Sequence, residues 1–218
     1  MIAGQSNAQG QTAELYSCTP EEIFAGKFRK ITNDWVALVD PVDGVKGSVW
    51  PIVGCAYVNN LAAPIGFVPT AISGSAISTW LPGQANYEDM VTRALASVAN
   101  GGTLKGVVWW QGEADMLAHT SEEDYYAALV AIAAEINTDL GVPLFAANIQ
   151  QITALVPSQY QDAIRNATIQ AWAGANNVKA GPDLSDLTSD DGYHIVVDAK
   201  VQIAASRWYT AFATHFGW

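Results

Sequence analysis

The sequence has few basic residues and no long apolar segment. It contains ten Lys or Arg against 21 Asp or Glu among 218 residues, so its formal net charge is −11. Nucleic acids and anionic membranes are bound through clusters of Lys and Arg, so this balance disfavours both partners and also a heavily phosphorylated substrate. No apolar run approaches the roughly 20 residues that span a bilayer.

Cysteine and histidine are also scarce. Cys18 and Cys55 are too few for a disulfide scaffold or a zinc site, and the sequence leaves open whether they form one bridge or are two unrelated buried thiols. The three histidines, His119, His194 and His215, disfavour a multi-histidine metal site. We therefore expect no metal and no other cofactor.

The composition indicates one folded domain over residues 1–218, because half of the residues are hydrophobic and only 14% are charged. Apolar strand-like runs alternate with helical patterns, which predicts an α/β fold with a parallel sheet and helices on both faces. The predicted strands are Met1–Ala3, Ile65–Ile72, Gly106–Trp110, Pro143–Ile149 and Val178–Leu184.

Helical periodicity is clearest in the second half of the chain. Thr120 and Glu123 form a capping-box pair that opens a helix ending near Gly141. Further helices are predicted around Met90–Val98, after Pro157 and over Val201–Phe212. The segment Thr12–Trp50 is rich in turn residues, and we expect a long loop over the sheet, of the kind that often shapes a binding site.

Polar residues follow four of the predicted strands. Ser6 follows the first strand, Gly74 the second and Gln111 the third, while Asp191 and His194 follow the fifth. Ligands of a parallel α/β sheet bind beyond the carboxyl ends of its strands, so these residues are expected at one edge.

Their chemistry suits acyl transfer. A serine hydroxyl becomes a nucleophile when a base takes its proton, so Ser6 would attack, His194 would act as base and Asp191 would orient the imidazole. The backbone N–H groups of Ser6 and Gly74 are candidate oxyanion donors, with the Gln111 side-chain amide as a third.

Other residues compete for two of these roles. His119 lies in a polar loop past the third strand and is a rival base, whereas His215 is expected at the surface. The carboxylates that could replace Asp191 are Asp183, Asp186, Asp190 and Glu113.

Four elements in this order resemble the SGNH-hydrolase superfamily. They are Gly4-Gln5-Ser6-Asn7, the Gly74 turn with Ile77 and Trp80, Trp110-Gln111-Gly112-Glu113-x-Asp115, and Asp191-x-x-His194. More narrowly, they are similar to the sialate O-acetylesterase-like branch, which includes carbohydrate esterase family six, the acetylxylan esterases. The match spans nearly the whole chain, and the elements are specific as a set although each is short.

The resemblance implies a three-layer α/β/α sandwich with a five-stranded parallel sheet, the flavodoxin-like SGNH architecture. It also implies metal-independent removal of acetyl groups from sugars by a Ser-His-Asp triad through an acyl-enzyme, an acetylated carbohydrate as partner, and a secreted or extracellular location. The family roles carry over to five positions, which are Ser6, Gly74, Gln111, Asp191 and His194.

The sequence departs from the family at three points. Ala8 stands where methionine is common, Ser73 stands where a first glycine is common, and the first strand is short. The short strand leads us to expect a mature form or a domain cut from a longer protein.

Further residues carry weaker expectations. Asn7 would hold the turn after Ser6, and Glu113 would either brace the Gln111 loop through backbone N–H groups or interact with the histidine. Trp80 is the best candidate for a substrate wall, while Trp109 and Trp110, being consecutive, should face opposite sides of the sheet.

Two other functions fit less well. Gly4-x-Ser6-x-Ala8 is one residue from the nucleophile elbow of α/β-hydrolases, but that elbow normally follows several strands and its acid lies well before the histidine. A sugar-binding or surface domain that kept the fold without activity is the second alternative, and the intact Ser-Asp-His set argues against it.

Overall fold

The computed structural model describes residues 1–20, 23–174 and 176–218. The strands in these residues are β1 (Ile2–Gly4), β2 (Ser17–Cys18), β3 (Ala25–Phe28), β4 (Trp35–Val39), β5 (Ile65–Phe67), β6 (Val107–Trp110), β7 (Leu144–Asn148) and β8 (Val178–Asp183). The helices are α1 (Ser6–Gln9), α2 (Trp50–Leu61), α3 (Ala85–Ala99), α4 (Glu113–Ala118), α5 (Glu122–Leu140), α6 (Ser158–Ala173) and α7 (Asp198–Phe216), with a 3₁₀ turn at Ile77–Trp80.

The predicted α/β fold is confirmed. A parallel sheet has the strand order β1-β6-β7-β8, and helices cover both of its faces. Strand β7 is buried along its whole length, as expected of a parallel strand covered on both sides. The prediction for the two tryptophans of β6 is also confirmed, because Trp109 packs against Trp80 on one face and Trp110 against Trp208 on the other.

The expected fifth strand of this sheet is not confirmed. Within the predicted run of residues 65–72, only Ile65–Phe67 forms a strand, and it pairs with β3 in a different sheet. The chain then passes β1, where Ile2 exchanges backbone hydrogen bonds with Val68 and Thr70, both 2.8 Å long. Val68 and Thr70 flank Pro69, and the contact is an isolated parallel bridge between Ile2 and Pro69.

The expectation of a long loop over Thr12–Trp50 is wrong. This segment contributes β2, β3 and β4, which join β5 in a second sheet of order β2-β4-β3-β5. A disulfide between Cys18 and Cys55 ties this sheet to α2, with 5.3 Å between the two Cα atoms. The alternative of two separate thiols is therefore excluded in this structure.

The predicted helices are present, with one correction at a boundary. Helix α5 begins at Glu122, and its N-cap is Ser121, whose hydroxyl accepts a hydrogen bond from the Asp124 backbone N–H. Thr120 instead donates its hydroxyl to the Asp115 carboxylate, 2.9 Å away, so it was unsuited to cap this helix. Across the described part of the chain, no helix combines the length and apolarity needed to cross a membrane.

Candidate active site

Ser6 lies at the turn where β1 gives way to α1. Gly4 adopts a φ of +117°, and a Cβ atom there would lie 2.2 Å from the carbonyl oxygen of Trp110, so this position requires glycine. Because Gly4 has no side chain, the end of β1 can lie close to the backbone of β6. Helix α1 begins two residues later at Ser6, which is almost fully buried. As a residue of the first helical turn, Ser6 has a backbone N–H without an intrahelical acceptor.

The two ends of the chain meet at this turn. The Ser6 hydroxyl lies 2.9 Å from His194 Nε2, and His194 Nδ1 lies 2.8 Å from Asp191 Oδ2. The other oxygen of Asp191 accepts the backbone N–H groups of Tyr193 and His194, at 3.1 and 2.8 Å. The serine, imidazole and carboxylate are thus connected in one hydrogen-bonded series.

The environment of Asp191 keeps its carboxyl ionised. Partial burial raises the pKa of this carboxyl, but the hydrogen bonds from the His194 ring and from two backbone N–H groups outweigh it, so the pKa lies below its ordinary value. An ionised Asp191 fixes the proton of the imidazole on Nδ1, which leaves Nε2 free to accept the Ser6 proton.

The rival carboxylates on the same loop edge have other partners. Asp190 accepts the backbone N–H groups of Val196 and Val197 at the start of α7, and its own N–H donates to the carbonyl of His194. Asp186 pairs with Arg207 at the surface. Asp183 accepts a hydrogen bond from Asn148. Asp191 is the carboxylate hydrogen-bonded to the imidazole.

A buried amide pair holds the backbone beside His194. The side-chain N–H groups of Asn7 and Gln150 both donate to the carbonyl oxygen of Tyr193, at 3.2 and 3.0 Å. Asn7 also accepts the backbone N–H of Ile195 at 3.1 Å. The hydrogen bonds of the Asn7 side chain thus go to the histidine loop, on both sides of the imidazole, and not to the turn after Ser6.

Glu113 lies beneath this amide pair. Its Oε1 accepts hydrogen bonds from Asn7 Nδ2 at 2.5 Å and Gln150 Nε2 at 2.8 Å. These partners are side-chain amides, whereas the sequence left open a choice between backbone N–H groups and the histidine. Its Oε2 is buried and unpartnered among the described residues. Burial raises the pKa of the Glu113 carboxyl above its ordinary value, although the hydrogen bonds from Gln150 and Asn7 act in the opposite direction.

Gln111 does not have a free amide for an oxyanion. Its Nε2 donates to Asp115 Oδ2 at 2.5 Å, and the Ser75 carbonyl and Gln5 Oε1 lie 3.1 and 3.2 Å away. Since an amide has two N–H groups, internal acceptors already account for both. The expectation that Gln111 supplies a third oxyanion donor is not supported, and its amide instead braces the turn after β6.

Gly74 lies on an exposed turn after Ile72, whose N–H donates to the carbonyl of Gly4 at 2.9 Å. This bond places the turn next to the start of α1, and Gly74 has a φ of +71° with open space around its Cα. Its backbone N–H remains a candidate oxyanion donor beside that of Ser6.

Trp80 and His119 do not take the roles considered from the sequence. The Trp80 ring is fully buried and its Nε1 donates to Ser75 Oγ at 2.9 Å, so it has no surface for a substrate wall. The His119 ring stacks on Tyr160, with 3.7 Å between the centroids, while the imidazole at Ser6 is that of His194.

Sequence reasoning missed Gln5 and Gln150 as parts of the site. Gln5 Oε1 accepts the N–H groups of Gly112 and Ala114 at the start of α4, at 3.4 and 3.2 Å, and so couples the Ser6 turn to the β6–α4 turn. Gln150 follows β7, the fourth predicted strand. The rule that polar residues after parallel strands gather at one edge could therefore have found it.

Within the described residues, no group of three or more His, Cys, Asp and Glu side chains is placed to hold a metal ion.

Comparison with known proteins places this geometry in a family. A probable carbohydrate esterase from Arabidopsis thaliana is 32% identical over 145 residues, which cover 66% of this chain and 54% of the relative. The chain thus spans about half the length of the curated relative it matches. An X-ray structure of this Arabidopsis protein aligns with a TM-score of 0.81 at 25% identity, over 97% of this chain and 96% of the other.

A carbohydrate acetylesterase from Xanthomonas citri shares the fold, with a TM-score of 0.67 and 15% identity over 99% of this chain and 56% of the other. The family model for carbohydrate esterases described as sialic acid-specific acetylesterases matches residues 1–212. The chain therefore belongs to this carbohydrate esterase family.

Proposed function

We propose that this protein is a serine esterase that removes O-acetyl groups from carbohydrate through an acyl-enzyme intermediate. The observation that carries the proposal is the hydrogen-bonded series from Ser6 through His194 to Asp191 in a chain of the carbohydrate esterase family. The known relatives supply the substrate class, since one is named a probable carbohydrate esterase and another a carbohydrate acetylesterase.

Acylation begins when Ser6 Oγ attacks the ester carbonyl carbon while His194 Nε2 takes the hydroxyl proton. The 2.9 Å contact between these atoms is within the range for direct proton transfer. The imidazolium then returns this proton to the leaving alkoxide as the carbon–oxygen bond of the ester breaks. The products of this half-reaction are a free sugar hydroxyl and acetyl-Ser6.

The negative charge of the tetrahedral intermediate needs donors that are already in place. The Ser6 N–H points from the first turn of α1, where helix N–H groups have no internal acceptor. The Gly74 N–H lies on the adjacent turn. Removal of one such donor typically slows an enzyme by about 10²–10³-fold. We assign the oxyanion to these two backbone groups, without Gln111.

Deacylation repeats the proton transfers with water as the nucleophile. His194 takes a proton from water, hydroxide attacks the acetyl carbon, and the proton returns to Ser6 Oγ as acetate leaves. Asp191 stabilises the imidazolium that forms in both half-reactions, because its carboxylate accepts the Nδ1–H throughout.

The test compares the wild-type protein with Ser6→Ala by acetate release from acetylated xylan, O-acetylated sialic acid, pectin and bacterial surface glycans, and by hydrolysis of p-nitrophenyl acetate. We expect Ser6→Ala to lower kcat/KM by at least about 10⁴-fold, because the members of such a triad act as a unit. Ser206→Ala, an exposed serine of α7, is the matched control and should retain wild-type turnover.

Equal rates for wild type and Ser6→Ala would remove Ser6 from the mechanism. A folded wild-type protein that releases acetate from none of these esters would favour the alternative of a carbohydrate-binding or surface domain that lacks activity.

A further inference from the structure

The proton transfer from His194 to the leaving oxygen indicates where the alcohol part of the substrate must lie. If the proposed esterase function holds, His194 Nε2 returns a proton to the leaving oxygen, so that oxygen must come within hydrogen-bond reach of the imidazole. The acyl oxygen points the other way, towards Ser6 and Gly74. The sugar that leaves is therefore positioned over the loop that carries His194, next to Tyr193.

The Tyr193 side chain is available for such a contact. The residue is 37% exposed, and its ring lies edge-on to the imidazole of His194, with 6.1 Å between the ring centroids. Its hydrogen bonds among the described residues are all made by its backbone. By contrast, the hydroxyls of Tyr87 and Tyr125 bind Asp139 and Gln111 inside the fold.

The backbone that carries this ring is held at both of its polar groups. The Tyr193 N–H donates to Asp191, and the carbonyl accepts from Asn7 and Gln150. The two amides are themselves fixed by Glu113. An aromatic side chain with two rotatable bonds on a fixed backbone loses little entropy when it binds a ligand.

We propose that Tyr193 is a specificity-determining residue, on whose ring the sugar of the leaving alcohol stacks. One face of a pyranose carries C–H groups that pack well on the electron-rich face of an aromatic ring, which also excludes water from the departing oxygen. The buried Trp80 cannot provide this surface. Tyr193 would thus distinguish sugar acetates from acetates of small alcohols, and this inference rests on the proposed function.

The experiment uses two esters that give the same acetyl-enzyme, an acetylated xylo-oligosaccharide and ethyl acetate. The readout is the ratio of their kcat/KM values, because kcat/KM covers substrate binding and acylation only, and the deacylation step that both esters share does not enter it. We expect Tyr193→Ala to lower this ratio about tenfold or more, a change of about 1.4 kcal/mol or more, because the sugar loses its contact with the ring whereas ethyl acetate has no sugar to stack. Tyr193→Phe should keep the ratio, because it retains the ring and removes only the hydroxyl.

Tyr209→Ala provides the matched control, because Tyr209 is a partly exposed tyrosine on α7, and its ratio should equal that of the wild type. If Tyr193→Ala keeps the wild-type ratio while both esters are hydrolysed, Tyr193 has no such role and the esterase proposal stands. If Tyr193→Phe loses as much as Tyr193→Ala, stacking is wrong. If Ser6→Ala hydrolyses both esters as fast as the wild type, the proposed function fails, and the inference fails with it.

Discussion

The carboxyl edge of the parallel sheet and the second sheet are held together in different ways. At the carboxyl edge, polar side chains that are at most 4% exposed bind one another, and they are Gln5, Ser6, Asn7, Gln111, Glu113, Asp115 and Gln150. Buried polar groups are unfavourable unless they are hydrogen-bonded, so their positions there are fixed by their partners.

The second sheet contains short strands with partly exposed faces. Strand β2 has two residues and β4 alternates between exposed and buried positions, while the Cys18–Cys55 disulfide links β2 to α2. The Arg29–Asp34 pair, in the connection between β3 and β4, is solvent-exposed, and such pairs add little stability.

The two regions differ in what they contribute, since the carboxyl edge serves the proposed activity and the second sheet serves stability. In the described residues, the carboxyl edge contains a buried carboxylate, that of Glu113, whose Oε2 has no hydrogen-bond partner and whose pKa is raised by burial, and this arrangement is unfavourable for folding. The second sheet carries a crosslink that acts on the unfolded chain. Changes at the carboxyl edge should therefore reduce turnover, and changes in the second sheet should reduce stability.

After Ser6→Ala, the largest effect is expected for Asp191→Asn. The amide cannot hold the imidazole in the tautomer that accepts the Ser6 proton, so kcat/KM for an acetyl ester should fall by about 10³-fold or more. Steady-state kinetics measures the change, and circular dichroism checks the fold. Asp186→Asn, which alters a surface carboxyl paired with Arg207, should retain wild-type kinetics. Retention of activity within tenfold by Asp191→Asn would remove the orienting role from Asp191.

The meeting of Ser6, His194 and Asp191 could be predicted because it follows from topology. Ser6 comes after the first strand-like run, Asp191 and His194 lie between the fifth run and the last helix, and parallel strands bring their carboxyl ends to one edge. Ser6 and His194 are 188 residues apart in the sequence. Their proximity could therefore be predicted from the order of strands and helices, without knowledge of any loop conformation.

The contacts of individual polar side chains could not be predicted in this way. Gln111 and Trp80 lie close to the expected edge. Their side-chain N–H groups, however, point into the fold, where Asp115 accepts that of Gln111 and Ser75 accepts that of Trp80. Which of several neighbouring acceptors an amide or indole N–H selects depends on packing distances of a few tenths of an ångström. The residue order carries no such information.

The second sheet was missed for another reason. Strand β3 reads Ala25-Gly26-Lys27-Phe28, and two of these residues are Ala and Gly, which are depleted in strands. Its pairing with β4 and β5 is instead a tertiary effect, since Gly26 lies opposite both Ala37 and Gly66. A local pattern of turn residues therefore predicted a loop where long-range contacts form a sheet.

A stability effect of intermediate size tests the second sheet. Replacing Cys18 and Cys55 together with serine releases a crosslink between residues 37 positions apart. We expect the free energy of unfolding to fall by about 2–4 kcal/mol. This loss corresponds to a Tm lower by about 5–15 °C for a chain of this size. Differential scanning calorimetry measures the shift.

Below the lowered Tm, the same double variant should hydrolyse an acetyl ester at nearly the wild-type rate, because neither sulfur touches the Ser6 edge. Wild-type protein treated with a reductant is the matched comparison, since it breaks the crosslink without a substitution. A loss of turnover as large as that of Asp191→Asn, with the fold intact, would show that the two regions are not separable.

The smallest effect is expected from Glu113→Gln, and it appears in the pH dependence of stability. Because burial raises the folded-state pKa of this carboxyl, the folded protein binds its proton more tightly than the unfolded chain. Its contribution to stability is thus fully present below the unfolded pKa of about 4.3 and is lost as the pH rises through the higher folded pKa. Glutamine keeps an oxygen acceptor for Asn7 and Gln150 and cannot ionise.

Denaturant unfolding of both proteins at several pH values between about 4 and 8 isolates this contribution. The stability of wild type relative to Glu113→Gln should decline as the pH rises, and the exposed Glu123→Gln on α5 should show no such decline. A difference that stays constant across this range, or that grows in favour of the wild type, would mean that Glu113 is no harder to ionise in the folded protein than in the unfolded chain. Ionised Glu113 would then not destabilise the carboxyl edge. The contrast between this edge and the second sheet would depend on Ser6, His194 and Asp191 alone.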